Sequence, residues 1–330
     1  MTFAAQDAAS WLANPRATRE TLEAFGLATK HRLGQNFLVE DNIIRKIIRL
    51  AELTSDDVVL EVGPGLGTLT VAMLDYVRAV CSIEADRELE GVLATTCKEP
   101  HQDSFVLCMG DALKATPRLV GDAYASLGVF ADAQGKEASG ALIGPNKFVS
   151  NLPYQVAATL ILLFFQEFAT LEQAVVMVQA EVADRIAAKP GTKAYGAYTA
   201  KLALYAQVSG RFEVAPGNFM PSPRVNSAVV RLERAPMTDP SGTGVLTSEQ
   251  LALAARVIDA AFAQRRKTIR NSMGASGFKK DTLERAFLAA HIEPTVRAEA
   301  LGVKDFVRLA MALAEGGAYG EETTFVHGRR

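Results

Sequence analysis

The sequence predicts an α/β protein, a Rossmann-like and mostly parallel sheet followed by a small all-α domain. Three observations carry this. Gly63-Pro64-Gly65-Leu66-Gly67 follows a short apolar segment and precedes a helix-compatible one. Apolar runs of strand length then alternate with helical patterns to about Arg234. Beyond Pro236, after a stretch rich in Pro, Ser and Gly, every apolar pattern has helical spacing.

In chain order, residues 1–29 form a polar, alanine-rich lead-in of unassigned role. A helix is expected from Asp41, with Ile43, Ile44, Ile47, Ile48 and Ala51 on one face and Asp41 as its cap. Val58 to Val62 reads as a buried parallel strand. The glycine turn lets backbone approach a ligand, and Thr68 to Leu74 begins the crossover helix. Ala79 to Ile83 makes the next strand, ending on Glu84, and Ser104 to Cys108 the third, ending near Asp111. Residues 123–146, rich in Gly, Ala and Ser, read as a surface insertion. Lys147 to Ser150 is a fourth strand leading into Asn151-Leu152-Pro153-Tyr154, and Val156 to Phe165 its core helix. The catalytic domain is placed at 30–235, a linker at 236–244 and a helical domain at 245–330, with helices over Ser248 to about Asn271, Lys280 to His291 and Val303 to Ala314.

The glycine turn with an acid about twenty residues on fits either a dinucleotide or S-adenosylmethionine. Its spacing is G-x-G-x-G, and Glu61 stands two residues before the first glycine. An acid there suits a cationic methionine end better than a pyrophosphate. Asp111 falls where a third strand's carboxyl end would meet an adenine amino group.

Asn151 to Tyr154 points to the atom attacked. The lone pair of an exocyclic adenine nitrogen is delocalised into the ring, which makes it a poor nucleophile. A carboxamide oxygen and a proline-restrained carbonyl accepting its amino hydrogens favour a tetrahedral nitrogen aimed at a methyl donor. Tyr154 supplies a stacking face for a base lifted from its helix. The same four residues also make an ordinary turn, and only the glycine motif beside them favours chemistry.

Six ordered blocks carry a family resemblance: Leu33-Gly34-Gln35-Asn36-Phe37-Leu38, Glu61 to Thr70, Ile83-Glu84-Ala85-Asp86, Gly110-Asp111-Ala112, Asn151-Leu152-Pro153-Tyr154 and Asn218 to Ser227. The chain resembles the ribosomal RNA small-subunit adenine dimethyltransferases, which are similar to erythromycin-resistance methyltransferases and to mitochondrial transcription factors. The resemblance implies a class I S-adenosylmethionine-dependent methyltransferase fold and S-adenosylmethionine as cofactor. It implies dimethylation of two adjacent adenines near the 3′ end of small-subunit RNA, free or in an assembling 30S particle. By the same resemblance Asn36 and Leu38 close over the cofactor, Gly63 meets its methionine part, Glu84 its ribose and Asp111 its adenine. Asn151 binds the methionine end and the target amino group, Leu152 offers a carbonyl, Pro153 restrains it, and Tyr154 and Phe219 sandwich the adenine. Leu33 departs from the aromatic common at that place.

A formal net charge of −2 leaves only local basic surface for RNA. Arg265, Arg266, Lys267 and Arg270 follow the pattern Leu251, Ala254, Ala255, Ile258, Ala261, Phe262 and read as an extension of that helix facing phosphates. Lys30 to Arg32 and the loop Lys189 to Gly196 are further candidates. Three cysteines without C-x-x-C spacing and four scattered histidines support neither a disulfide framework nor a metal site. No apolar run reaches membrane-spanning length, so a cytoplasmic location without membrane contact is expected; a monomer is expected as well. Other readings are a large-subunit RNA methyltransferase of the resistance type, a non-catalytic RNA- or DNA-binding relative, and an NAD oxidoreductase, for which no proton-transfer group is apparent.

Overall fold

The computed structural model describes residues 9–27, 35–129, 143–242 and 244–315. They fall into two units, one comprising the chain up to Ala183 together with Gln207–Arg234, the other Asp184–Ala206 and the chain from Ala235. The sequence reading kept 184–206 in the catalytic domain; backbone contacts group it with the helical unit. Lys30 to Arg32, Leu33, residues 130–142 of the expected insertion and the tail from Gly316 lie outside the described residues.

The first unit opens with α1 (Pro15–Ala24), started by the Asn14 side chain accepting from Ala17 N. The lead-in is thus part of the fold, with Ala13 and Leu22 in the same apolar core as Ile44 and Leu69. β1 (Phe37–Leu38) precedes α2 (Asp41–Ala51), whose isoleucines are all buried as their helical spacing requires. Its cap is Glu40, accepting from Asn42 N; the Asp41 carboxylate instead accepts from Ser10 N and pairs with Arg45, one turn on.

The chain continues as β2 (Val58–Val62), α3 (Thr68–Leu74), β3 (Ala79–Glu84), α4 (Glu90–Leu93), β4 (Phe105–Met109) and α5 (Pro117–Ser126). Then follow β5 (Lys147–Asn151), α6 (Ala157–Glu167), β6 (Gln173–Gln179), α7 (Ala180–Ile186) and α8 (Ala197–Leu202). β7 (Ala206–Val214), β8 (Phe219–Met220) and β9 (Ser227–Arg234) complete the strands. Seven of them form one sheet in the order β4-β3-β2-β5-β6-β9-β7, and β1 pairs antiparallel with β8. β4, β3, β2, β5 and β6 run parallel, while β9 is antiparallel to β6. Strand order reverses at β2, between β3 and β5, which makes the carboxyl ends of β2 and β5 the switch point where ligands of such sheets bind.

A polar lock fixes β5 against β2 at the opposite end. Lys147 Nζ donates to the carbonyls of Ala51 (2.6 Å) and Glu52 (2.7 Å), which end α2, and lies 3.1 Å from the Asp57 carboxylate. Asn146 accepts from Val58 N at 2.8 Å and donates to Asp57 at 2.7 Å. The expected surface insertion begins too early at residue 123: Ala123 and Tyr124 are buried in α5, and the Tyr124 hydroxyl donates to the Val59 carbonyl at 2.7 Å. A residue of that size carrying a polar tip seats in a core when the tip finds a backbone acceptor.

The second unit holds α9 (Ser248–Phe262), α10 (Ile269–Ala275), α11 (Lys280–Ala289) and α12 (Val303–Glu315). A capping box of Thr247 and Gln250 starts α9. Tyr195, Ala200 and Leu204 share a core with Ile258, Phe287 and Phe306, and the Tyr195 hydroxyl donates to the Leu301 carbonyl at 2.9 Å. The stretch read as a linker is closed by a tight antiparallel bridge, Thr238 opposite Val245 just beyond it, with Asp239 N donating to Gly244 O.

Candidate active site

At the end of β2 the chain turns through Gly63, Gly65 and Gly67, with φ of 68°, 62° and 89°. Side chains are excluded there by strain and by space. A Cβ on Gly63 would lie 3.3 Å from Pro153 Cγ, on Gly65 3.1 Å from the Phe37 ring, and on Gly67 2.4 Å from Cys97 Sγ. The turn is packed by three different segments of the first unit.

Ser150 registers the second half of the site. Its hydroxyl donates to Val62 O at 2.6 Å and accepts from Val62 N at 3.3 Å, so Asn151 emerges beside Gly63. Asn151 Nδ2 donates to the Asn36 carbonyl at 3.4 Å, which turns Oδ1 to the other side of the amide. Leu152 N is taken by Met177 O, and the Pro153 carbonyl accepts from Val156 N. The Leu152 carbonyl, immediately before the proline ring, is an acceptor without a donor among the described residues, as is Asn151 Oδ1. The Tyr154 phenol is held 2.6 Å from Ser227 Oγ, and burial raises its pKa.

Carboxylates lie at the ends of successive strands. Glu84, ending β3, is buried and its pKa is raised by desolvation; backbone N–H groups of Asp86, Gly65 and Ala85 partly offset this. One oxygen of Asp111, beyond β4, accepts from Leu113 N at 3.0 Å. Asp86 accepts from Gln35 Nε2 at 2.8 Å. Glu61 is 1% exposed, and burial pushes its pKa up to about 7 against the hydroxyls of Ser82 and Thr70, each donating at 2.7 Å.

These groups enclose an open cavity of about 240 Å³. Asn36, Leu38, Gly63, Glu84, Asp111, Asn151, Leu152, Pro153 and Tyr154 all line it, as do Gln35, Phe37 and Leu113, which the sequence reading gave no role. Leu113 is 39% exposed, an apolar residue two places after the strand-end acid. That pairing was a signal for a flat apolar ligand face that residue-by-residue reading passed over. Among the described residues that line it there is no lysine or arginine. The donor set fits S-adenosylmethionine: carboxylates for hydroxyl and amino groups, glycines for close backbone approach, and acids without a base near a cationic centre. A dinucleotide pyrophosphate would find no cation among the described lining residues.

Two expected groups stand elsewhere. The ring of Phe219 is 4% exposed and sits in the core, because its backbone pairs with Leu38 as β8 against β1; it is not among the cavity-lining residues. The basic cluster is not one helix. α9 ends at Phe262, Arg265 to Lys267 occupy an exposed turn, and Thr268 caps α10, which contains Arg270. The break is enforced by Ser272, whose hydroxyl donates to Ala260 O and accepts from Gln264 N. Arg265 donates to the Lys193 carbonyl at 2.9 Å and Arg270 faces Glu284 at 3.1 Å.

The sheet order, the switch-point cavity and its acids define a class I methyltransferase. A dimethyladenosine transferase from Plasmodium falciparum superposes with a TM-score of 0.63 at 21% identity, covering 84% of this chain and 96% of that one. The 23S ribosomal RNA methyltransferase ErmE gives a TM-score of 0.59 at 23% identity, covering 84% of this chain and all of the other (100%). The family described as ribosomal RNA adenine dimethylase matches residues 26–315. Ribosomal RNA small subunit methyltransferase A of Kineococcus radiotolerans is 38% identical over 315 residues, 95% of both chains. Its counterpart in Acidothermus cellulolyticus is 39% identical over 297 residues, 89% of this chain and 92% of that one. The chain belongs to the ribosomal RNA adenine dimethylase family, and it is an S-adenosylmethionine-dependent enzyme.

Proposed function

We propose that this enzyme dimethylates the exocyclic amino groups of two adjacent adenines near the 3′ end of small-subunit ribosomal RNA, acting as a cytoplasmic monomer on RNA or an assembling small subunit. The observation that carries the reading is the meeting of Gly63 with Pro153, which joins an acid-lined cofactor cavity directly to the Asn151 to Tyr154 turn. The small-subunit target rests on the relatives named above. Among the described residues no helix is long and apolar enough to cross a membrane.

When bound, S-adenosylmethionine supplies an activated methyl group on a sulfonium. Glu84 would hold its ribose hydroxyls, Asp111 and Leu113 its adenine, and Gly63 and Asn151 its methionine end, with Asn36 and Leu38 along one wall. Asn151 Oδ1 and the Leu152 carbonyl accept the two amino hydrogens of the target adenine, turning the nitrogen lone pair toward the methyl group. Tyr154, half-buried at the cavity edge, gives the base its stacking face. Phe219 is buried in the core and its backbone pairs with β1, so the proposed stacking rests on Tyr154. The second step engages one of the two acceptors, since a monomethylated nitrogen presents a single hydrogen. Arg265, Arg266, Lys267 and Arg270 are the proposed phosphate contacts.

The test is transfer of labelled methyl from S-adenosylmethionine to small subunits lacking the modification, followed by nucleoside analysis. Dimethyladenosine at both adjacent adenines is expected. Transfer only to large-subunit RNA would overturn the target, and transfer to neither would overturn the catalytic reading.

A further inference from the structure

Ser227 opens β9 with none of its surface exposed, 0%, and its neighbours Ala228, Val229 and Val230 are equally buried. A serine hydroxyl in such surroundings costs stability unless it is bonded. Its bond is to the Tyr154 hydroxyl, at 2.6 Å. β6 lies between β5 and β9 in the sheet, so the phenol reaches across the end of an intervening strand to find this partner. Ser227 is itself fixed there: it stands opposite Gln179, and the Asn226 carbonyl accepts from Ala180 N at 2.9 Å. A tyrosine ring turns about two torsions, and tethering its tip to a strand sets the plane of the ring.

We propose that Ser227 is a positioning residue for methyl transfer, holding the Tyr154 hydroxyl so that the ring lies in the plane against which the target adenine stacks. The inference rests on the reading of Tyr154 as the stacking face. The hydroxyl's part is mechanical: the phenol is half-buried with its pKa raised by desolvation, and the transfer needs no strong base. One serine thereby ties the catalytic turn to the strand that follows the Phe219 segment.

The test uses Ser227→Ala, Tyr154→Phe, their double variant and Tyr154→Ala, each in the full chain with whichever ribosomal RNA the wild type methylates. Three quantities are read: kcat/KM for RNA, affinity for S-adenosylhomocysteine by calorimetry, and fluorescence of 2-aminopurine placed at the target adenine, which reports base capture. Ser227→Ala and Tyr154→Phe are each expected to lower kcat/KM about tenfold and to weaken the fluorescence change, with the double variant no worse than either single one. Affinity for S-adenosylhomocysteine stays within about twofold. A merely structural role would lower thermal stability without moving the fluorescence. Wild-type kcat/KM in Ser227→Ala, or losses that multiply in the double variant, would overturn the proposal. If Ser227→Ala fails to fold, Tyr154→Phe tests the same bond from its other side, and wild-type behaviour there overturns it equally. Tyr154→Ala separates the two levels: unchanged base capture sinks the stacking reading itself, whereas lost capture beside wild-type Tyr154→Phe sinks only the role of Ser227.

Discussion

Gly63 lies against the ring of Pro153, so close that a Cβ added to the glycine would stand 3.3 Å from Pro153 Cγ. With φ at 68°, Gly63→Ala carries backbone strain as well as that contact. The variant is expected to lose about tenfold or more in affinity for S-adenosylhomocysteine, measured by calorimetry, because the turn and the Pro153 ring must both shift.

Asn151→Ala removes the side-chain acceptor and keeps the Leu152 carbonyl. Methyl transfer should fall by a factor of about 100 or more, as for loss of one preorganised hydrogen-bonding group. Cofactor affinity, read by calorimetry, should fall far less. Transfer at the wild-type rate would remove Asn151 from the mechanism.

Glu61 gives a pH signature. Burial pushes its pKa up from 4.5 to about 7. Across that interval the folded protein keeps a proton that the unfolded chain has released. Stability from this group is therefore full below about 4.5, falls as pH rises toward 7 and levels off above. Glu61→Gln should abolish that part of the slope, on the order of 1–3 kcal/mol, in denaturant titrations from pH 4.5 to 8. Parallel curves for the two proteins would contradict the raised pKa.

Lys147→Met keeps the aliphatic bulk and deletes the ammonium that two carbonyls and Asp57 share. Leaving the Asp57 carboxylate buried without its cation should cost about 3–5 kcal/mol in chemical unfolding. The double variant with Asp57→Asn should recover part of this loss. An unchanged midpoint would show that Asn146 and Thr54 hold Asp57 without the ammonium.

Charge reversal of Arg266 and Lys267, both fully in the exposed turn, should weaken RNA binding and flatten its dependence on salt by about one unit of slope per lost phosphate contact. Calorimetric affinity for S-adenosylhomocysteine is the control, expected at its wild-type value. An unaltered salt slope would place the RNA contact elsewhere.

Local chemistry explains what could be read from the chain in advance. Gly63, Gly65 and Gly67 are demanded by the turn they make, and Asn151 to Tyr154 is contiguous, so each motif holds its chemistry within a few residues. The buried parallel strands announced themselves as unbroken apolar runs. What escaped depends on partners far away in sequence. Phe219 is buried because Leu38 pairs with it, and nothing near residue 219 says so. The helix before Arg265 stops because Ser272, eight residues past Gln264, bonds back to it and to Ala260. Tyr124 looked like the start of a loop until Val59 offered its carbonyl. At the head of α2 the expected cap, Asp41, is occupied by Ser10 N and Arg45, and Glu40 caps the helix instead.

The allocation of Asp184–Ala206 to the helical unit means that the two units are threaded through each other along the chain. Neither is a cassette. Ending the chain at residue 235 would keep Tyr195, Ala200 and Leu204 while discarding Ile258, Phe287 and Phe306, with which they share a core. A transplant of the helical unit between relatives must carry both of its pieces, joined at three chain junctions, and recombination at the Pro-Ser-Gly stretch alone would strand apolar side chains in water.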